Sequence, residues 1–288
     1  MNIRFDFSGK TCVVTGGASG MGREIVNVLA AANAEVFVAD LNQAQADEIA
    51  ARWTEAGHKV FSLPMDGTSL DSVANAAKSV MTTAGKIDFL VNSMGIGAKA
   101  REGESYTDTF NRLLNVDLHA IFNSCHAFGE AMIQSGGGVI VNIASQAATI
   151  VPAKTRPGRG GEYGLLGYCT AKAGVRHLTR SIATLWAPYG IRANSVSPGY
   201  VDTPLTAEPH SDPVIRAGMI AAVPLGRIAA PQRYRGYRCV PAVGRSILPD
   251  CAGCHHRRRL HCTVNFINNT KQEKRYDKSC LFYMDDPR

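Results

Sequence analysis

The stretch 10–22, K-T-C-V-V-T-G-G-A-S-G-M-G, decides the fold of this chain. Its first six residues form a short apolar run with β-branched side chains, which predicts a buried strand. Glycines follow in the spacing G-x-x-x-G-x-G, and a helical pattern with an apolar face runs from Ile25 to Ala30. This order is typical of a phosphate-binding turn, because glycines allow close backbone approach and a helix N-terminus attracts anions.

A second strand is predicted at Glu35–Ala39, and it leads directly into Asp40. Asp40 lies 24 residues after Gly16, the first glycine of the turn. A carboxylate at this place accepts hydrogen bonds from both hydroxyls of an adenosine ribose and repels a 2′-phosphate. Asp40 therefore favours NAD over NADP as the cofactor.

Short apolar strands alternate with helical patterns at 69–84, 106–134, 166–187 and 203–221. This alternation predicts an α/β fold with a doubly wound parallel sheet of the Rossmann type. The chain has 288 residues, of which 45% are hydrophobic, enough for one large core. It has no apolar run long enough to span a membrane, and its first residues lack the apolar segment of a signal peptide. We therefore expect a cytoplasmic protein.

Tyr168 and Lys172 lie four residues apart in a predicted helix, so their side chains share one face. An ammonium group beside a phenol stabilises the phenolate, which suits the tyrosine to proton transfer. Ser145 lies 23 residues before Tyr168, after an apolar run, and its hydroxyl can orient a substrate oxygen. The three residues predict acid–base chemistry without a metal, and the histidines outside the C-terminal tail show no ligand spacing.

Together these motifs resemble the classical short-chain dehydrogenase/reductase family. The resemblance covers residues 5 to about 232 and rests on six motifs in the family's order. They are T-G-G-A-S-G-M-G at 15–22, Asp66 after the third strand, N-S-M-G at 92–95 in place of N-N-A-G, V-N-I-A-S ending at Ser145, Y-C-T-A-K at 168–172, and S-P-G-Y-V-D-T-P at 197–204.

The resemblance implies an NAD(H)-dependent oxidoreductase that interconverts a secondary alcohol and a ketone. In this family pattern Tyr168 is the general acid/base, Lys172 supports it and binds the nicotinamide ribose, and Ser145 orients the substrate. Asp66 would meet the adenine ring and Asn92 would line the cofactor cleft. The implied cofactor-binding residues are Gly16, Ser19, Gly20, Met21, Gly22, Asp40, Asp66, Asn92, Tyr168, Lys172, Pro198, Gly199, Val201 and Thr203.

The chain departs from the family at Asp117. Aligning residues 116–122 with the family's helix before strand five places Asp117 where an asparagine is usual. That asparagine supports a water in the proton relay, so Asp117 is a candidate fourth catalytic residue. This departure and the altered C-terminal segment 233–288 leave an alternative open, a catalytically silent nucleotide-binding protein on the same fold.

The interval between Ser145 and Tyr168 is longer than the family's usual interval. Its extra stretch, residues 152–164, is rich in Gly, Pro and Arg and predicts an extended loop at the mouth of the substrate site. Charged residues in this loop and after Pro204 are Arg156, Arg159, Glu162 and Glu208. They favour a polar small-molecule substrate, such as a sugar, a polyol or a hydroxy acid, over a steroid. The resemblance also implies a homodimer or a homotetramer.

Residues 233–288 differ from the rest of the chain in charge and composition. They hold 12 Lys+Arg and 5 Asp+Glu, whereas residues 1–232 hold 19 of each, so the tail supplies the whole net charge of +7. Five of the eight cysteines also lie there. One interpretation is a zinc module formed by Cys251, Cys254, His261 and Cys262, and another is a basic nucleic-acid arm.

We predict instead that residues 233–288 are a frameshift product. Read from the second base, codons for 233–236, 238–241, 242–245 and 257–261 permit Asp-Ile-Ala, Val-Ala-Phe-Leu, Leu-Ser-Asp-Asp and Val-Asp-Gly-Phe-Thr. These segments approach the family's ending in the right order. The resulting prediction is one NAD-binding domain at 1–232 and an aberrant, poorly packed tail. The last parallel strand is then missing, and neither a nucleic acid nor a membrane is a partner.

Overall fold

The computed structural model describes residues 6–152 and 159–231, with side chains from 164 onward in the second range, and the backbone of two short strands near 241–246. A six-stranded parallel sheet forms the centre, in the order β3-β2-β1-β4-β5-β6. Its strands are β1 Thr11–Thr15, β2 Glu35–Asp40, β3 Val60–Pro64, β4 Phe89–Asn92, β5 Gly138–Ile143 and β6 Ile191–Val196. The predicted Rossmann-like α/β fold is confirmed.

Helices connect these strands on both faces of the sheet. They are α1 Gly20–Ala31, α2 Gln43–Glu55, α3 Leu70–Ala84, α4 Tyr106–Leu114, α5 Ala120–Gln134, α6 Arg159–Leu185, α7 Ala207–Ser211 and α8 Pro213–Ala222. A π-helical turn, Asn115–His119, joins α4 to α5, so the helix predicted at 106–134 is continuous but locally widened. Short 3₁₀ turns lie at Gln146–Ala148, Ala187–Tyr189 and Pro204–Thr206.

The core has two halves because neighbouring strand residues point to opposite faces. Val13 packs in the half covered by α3, α5 and α6, which also contains Phe128. The next residue, Val14, packs in the half covered by α1 and α2, beside Leu29. The sheet is therefore covered by apolar side chains on both faces, and its strand ends are the places left for a site.

The structure differs from the sequence prediction at three places. The helix predicted at 203–221 is broken, because Pro213 has no N–H to donate and Asp212 starts a new helix by accepting from the N–H groups of Val214 and Ile215. The loop predicted at 152–164 ends earlier, since α6 already begins at Arg159. Helix α2 was not predicted, and its buried face is narrow, limited to Ala46, Ile49 and Ala50.

Strand β6 is at the edge of the sheet, and within the described ranges no strand pairs with its outer side. The short strands β7 Pro241–Ala242 and β8 Arg245–Ser246 form a separate antiparallel pair. The rest of the tail, with Cys251 and Cys254 and most of the predicted frameshift product, lies outside the described residues. In the parts of the chain that the structure describes, no helix has the length and apolar character needed to cross a bilayer.

Candidate active site

Most of the predicted site residues follow a strand of the parallel sheet. The glycine-rich turn follows β1, Asp40 ends β2, Ser145 follows β5, and the segment 198–203 follows β6. Parallel strands bring their carboxyl ends to one edge of the sheet, which is where open α/β folds bind ligands. The topology thus gathers these side chains into one cleft.

The glycine-rich turn is packed so closely that side chains are excluded from it. Gly16 has φ of +65°, and a Cβ atom there would lie 2.7 Å from the backbone N and Cα of Met94. A Cβ atom on Gly22 would overlap the carbonyl oxygen of Gly16. Only glycine therefore fits at these two positions, and the chain can turn tightly into the N-terminus of α1, which attracts anions.

The opposite wall of this cradle is the segment after β6. A Cβ atom on Gly20 would lie 3.6 Å from Cβ of Thr203, so only a thin gap separates the two walls. Thr203 is fixed by its N–H, which donates to Oγ1 of Thr206 at 3.0 Å. A cavity of about 430 Å³ opens beside them, lined by Gly20, Arg23, Glu24, Asp202, Thr203, Pro204, Ala207 and Pro231. The backbone N–H groups at the start of α1, beside this cavity, suit the pyrophosphate of a dinucleotide cofactor.

The other predicted residues of this wall are Pro198, Gly199 and Val201. The carbonyl of Pro198 accepts from the N–H of Gln146 at 2.8 Å, which ties the segment to the end of β5. Gly199 lies next to the side-chain amide of Gln146. Val201 is buried and forms a β-bridge with Ala229.

Asp40 is fixed beside the glycine-rich turn. Its Oδ2 accepts from the N–H of Ala18 at 2.9 Å, and its Oδ1 accepts from the N–H of Asn42 at 3.0 Å. The next residue is Leu41, which is 77% exposed and brings no positive charge. The carboxylate charge is thus held at the end of β2, facing the turn.

Asp66 and its neighbours line the same edge beyond β3. Oδ1 of Asp66 accepts from N and Oγ1 of Thr68 at 2.9 and 2.7 Å. Met94, which was not among the predicted site residues, extends toward this place, because a Cβ atom on Gly67 would lie 2.5 Å from its sulfur. The signal for Met94 was its position in N-S-M-G, where the family has alanine.

Asn92 was expected to line the cofactor cleft, but in the structure it is completely buried. Its Oδ1 accepts from Thr15 at 3.0 Å and from Ser124 at 2.6 Å, and its Nδ2 donates to Asn142 at 2.9 Å. These bonds tie β4 to β1, β5 and α5 inside the core. A buried amide with all of these partners stabilises the strand ends that carry the site.

Helix α6 brings Tyr168 and Lys172 to the end of β5. The ammonium of Lys172 is buried and lies 5.7 Å from the centroid of the Tyr168 ring. It also points toward the carbonyl of Ile143, 3.5 Å away, at the end of the strand that leads to Ser145. Ser145 begins a 3₁₀ turn by accepting from the N–H of Ala147 at 3.1 Å, and this turn packs against α6. The three residues predicted for acid–base chemistry therefore lie on adjoining elements.

Asp117 lies in the π-helical turn and is completely buried. Its Oδ1 is 3.1 Å from Nζ of Lys172 and accepts from the N–H of Ile96 at 3.2 Å. Burial raises the pKa of the Asp117 carboxyl against the opposing charge of Lys172. Burial alone would lower the pKa of Lys172, but the charge of Asp117, aided by Tyr168, outweighs it, so that pKa lies above its ordinary value.

The mouth of the cleft is bounded by the loop after β4 and the segment before α7. A Cβ atom on Gly97 would lie 3.6 Å from Cδ1 of Leu205. Lys99 and Glu208 form an ion pair at 2.6 Å across the same gap. Of the charged residues predicted for the substrate pocket, only Glu208 lies in the described part, since the side chains of Arg156, Arg159 and Glu162 lie outside it.

The short chain dehydrogenase family model matches residues 10–213 of this chain. The chain belongs to the short-chain dehydrogenase family. It is 36% identical over 228 residues to the cis-4-hydroxycyclohexanecarboxylate dehydrogenase of Sinomonas cyclohexanicum, a match that covers 78% of this chain and 86% of the relative. It is 34% identical over 235 residues to the D-threitol dehydrogenase of Mycolicibacterium smegmatis, covering 80% of this chain and 85% of the relative.

A solved structure shows the same architecture. It is that of a candidate NAD(P)-dependent gluconate 5-dehydrogenase from Beutenbergia cavernae with bound NADP, at 33% identity and a TM-score of 0.70. The match covers 82% of this chain and 90% of that chain. The short-chain dehydrogenase described here is accordingly an oxidoreductase that acts on CH–OH donors, with a nicotinamide cofactor and small-molecule substrates.

Proposed function

We propose that this short-chain dehydrogenase uses NAD(H) to interconvert a secondary alcohol and a ketone on a polar substrate. The observation that carries the proposal is the buried ammonium of Lys172 beside the Tyr168 ring, on the element that packs against the Ser145 turn. A buried cation next to a phenol stabilises the phenolate, which is the form that accepts a proton.

In the oxidation direction, Tyr168 accepts the hydroxyl proton of the substrate as the carbinol C–H bond breaks and the C=O bond forms. Ser145 donates a hydrogen bond to the substrate oxygen and orients it. When bound, the nicotinamide ring takes up the hydride in oxidation or supplies it in reduction. In the reverse direction Tyr168 returns its proton to the oxygen of the former carbonyl group. Lys172 stabilises the negative charge on Tyr168 in both directions.

The preference for NAD is assigned to Asp40. Its carboxylate is bound to the N–H of Ala18 in the glycine-rich turn, so its negative charge is fixed where the adenosine ribose would lie. A 2′-phosphate would bring a second negative charge to this place, and Leu41 offers no compensating cation. In the same proposal the pyrophosphate of the cofactor would lie at the N-terminus of α1 and its carboxamide end along 198–203.

The proposed polar substrate is supported by the two relatives and by the mouth of the cleft. D-threitol is a polyol, and the cyclohexane substrate of the other relative carries a carboxylate. In this chain Lys99 and Glu208 place charges of both signs at the mouth, each side chain 69% exposed. We assign the reaction to a single domain at 1–232, which contains every proposed catalytic residue.

The test is turnover of NAD+ with a panel of sugars, polyols and hydroxy acids, measured as the formation of NADH. Tyr168→Phe removes the proton acceptor but keeps the ring over Lys172, so kcat should fall about 10²-fold or more, the usual scale for general acid–base catalysis. Tyr189→Phe is the matched control, because Tyr189 is exposed in the 3₁₀ turn that follows α6, and its kcat should not change. Tight NAD binding without turnover on any substrate would favour the silent nucleotide-binding alternative.

A further inference from the structure

Asp117 and Lys172 form an ion pair that is buried inside the protein. Their side chains are 0% and 6% exposed, and 3.1 Å separates Oδ1 from Nζ. Ion pairs at the surface contribute little because water screens them, whereas a buried charge without its partner is strongly destabilising. The pairing therefore matters to both residues.

We propose that Asp117 is a positioning residue that holds Lys172 in its charged form beside Tyr168 and thereby sets the pH range of the reaction. This inference rests on the proposed function, since it concerns the same Tyr168 and Lys172. An asparagine, which the family pattern has at this position, would carry no charge and would make a different environment for the lysine.

Local geometry holds the carboxylate against Lys172. The π-helical turn directs Asp117 inward, and the N–H of Ile96 donates to the same oxygen that contacts the ammonium. A Cβ atom on Gly95 would lie 2.5 Å from Oδ1 of Asp117 and 3.2 Å from Nζ of Lys172. The loop after β4 thus has no space for a side chain at 95, and it closes over the ion pair.

The charges that face this pair come from three elements. Lys172 and Tyr168 are on α6, Asp117 is in the π-helical turn, and Arg112 on α4 adds a longer-range positive charge. Arg112 already has its own partner, because its Nε donates to Glu104 at 2.6 Å. Asp117 is therefore the direct counter-ion of Lys172.

Removal of the carboxylate leaves burial as the dominant influence on Lys172. The pKa of the lysine is lowered by burial and raised by Asp117 and Tyr168, and with Asp117 the net effect is upward. Without Asp117 the lysine would lose its proton at lower pH. The high-pH limb of the plot of kcat/KM against pH would therefore shift to lower pH. While Lys172 is charged, its ammonium would have no carboxylate beside it and would stabilise the Tyr168 phenolate more strongly. The low-pH limb would therefore also shift to lower pH.

The experiment compares pH profiles of kcat/KM for alcohol oxidation in the wild type, Asp117→Asn and Asp88→Asn. Asp117→Asn keeps the shape of the side chain and removes its charge. Both limbs of the profile should shift to lower pH by about one unit, which corresponds to a roughly tenfold change in proton affinity. Asp88→Asn is the control, because Asp88 binds Lys10 and Lys86 at 2.9 Å near the start of β4, away from Tyr168. Its profile should match the wild type.

Unmoved limbs in Asp117→Asn would overturn the proposal, even if the rate falls at every pH, and would leave the proposed function intact. A second measurement does not need turnover. Urea unfolding of Asp117→Asn, Lys172→Met and the double variant gives a double-mutant cycle. We expect the two substitutions to be non-additive by a factor of about ten or more in the equilibrium constant for folding. The double variant should be more stable than Asp117→Asn, because it leaves no unpaired buried charge.

The two measurements separate the two proposals. A wild type without turnover on any substrate defeats the proposed function, and the cycle still decides whether Asp117 holds Lys172. If Asp117→Asn does not fold while the double variant does, the coupling is supported. Additive effects of the two substitutions, or a double variant no more stable than Asp117→Asn, would overturn the inference.

Discussion

Gly22→Ala tests whether the glycine-rich turn is shaped by backbone contact. Gly22 lies in the first turn of α1, and its added Cβ would overlap the carbonyl oxygen of Gly16. The same Cβ would lie 2.8 Å from the carbonyl carbon of Gly16 and 3.1 Å from Cα of Gly17. All three contacts are with backbone, which cannot rotate away as a flexible side chain can. The turn must therefore move as a whole.

The expected cost follows from these contacts. Overpacking of a rigid site costs about 1–3 kcal/mol, and contacts with backbone atoms place this site near about 3 kcal/mol. Replacing glycine by alanine inside a helix returns about 1 kcal/mol. The net loss of about 2 kcal/mol corresponds to a fall in Tm of about 4–8 °C for a domain of this size. NAD binding should weaken as well, because the turn that would hold the pyrophosphate is displaced.

Gly218→Ala is the matched control for this substitution. Gly218 lies in α8, and a Cβ atom there would meet no atom within 4 Å. Only the helix preference remains, so Tm should rise by about 1–4 °C, from about 0.5–1 kcal/mol. Thermal unfolding and NAD titration of both variants measure these effects. A Gly22→Ala variant with wild-type Tm and NAD affinity would refute the reasoning.

Two further substitutions test the cofactor site and the ion pair between Glu104 and Arg112. Asp40→Ala should reduce the ratio of kcat/KM with NAD to that with NADP by roughly ten- to hundredfold, from the loss of about 1.5–3 kcal/mol of charged hydrogen bonding; a wild type that prefers NADP would contradict this assignment. Glu104→Gln should reduce the acid sensitivity of folding. Hydrogen bonds from Arg112 and from the N–H of Arg101 lower the pKa of Glu104 to about 2 from an ordinary 4.5. Its folded pKa is depressed, so its contribution is complete above about pH 4.5 and is lost as the pH falls toward about 2. Urea unfolding across that range should show the difference between wild type and variant shrinking, and a constant difference would count against the Arg112 pairing.

The local sequence was sufficient to predict the elements that depend on residues adjacent in the chain. The strand, glycine turn and helix at 10–31 were predicted because each depends on adjacent residues, and β1 and α1 confirm them. Tyr168 and Lys172 were predicted to share a helix face from their spacing of four, and the structure places both in α6. By contrast, the pattern at 203–221 hid the break before Pro213, since apolar periodicity does not register a missing N–H donor.

Asn92 and Asp117 show what depended on tertiary structure. The sequence by itself determined that both stand in dehydrogenase-like motifs, one at the end of β4 and one before α5, because motif position is a property of the chain. It did not determine their partners, which are distant in sequence. Asn92 bonds to Thr15 and Asn142 only because parallel pairing sets β1, β4 and β5 side by side. Asp117 meets Lys172, 55 residues later, only because the π-helical turn and α6 pack against each other. Burial of the pair then lets each charge shift the pKa of the other, an effect that the spacing of residues in the sequence does not predict.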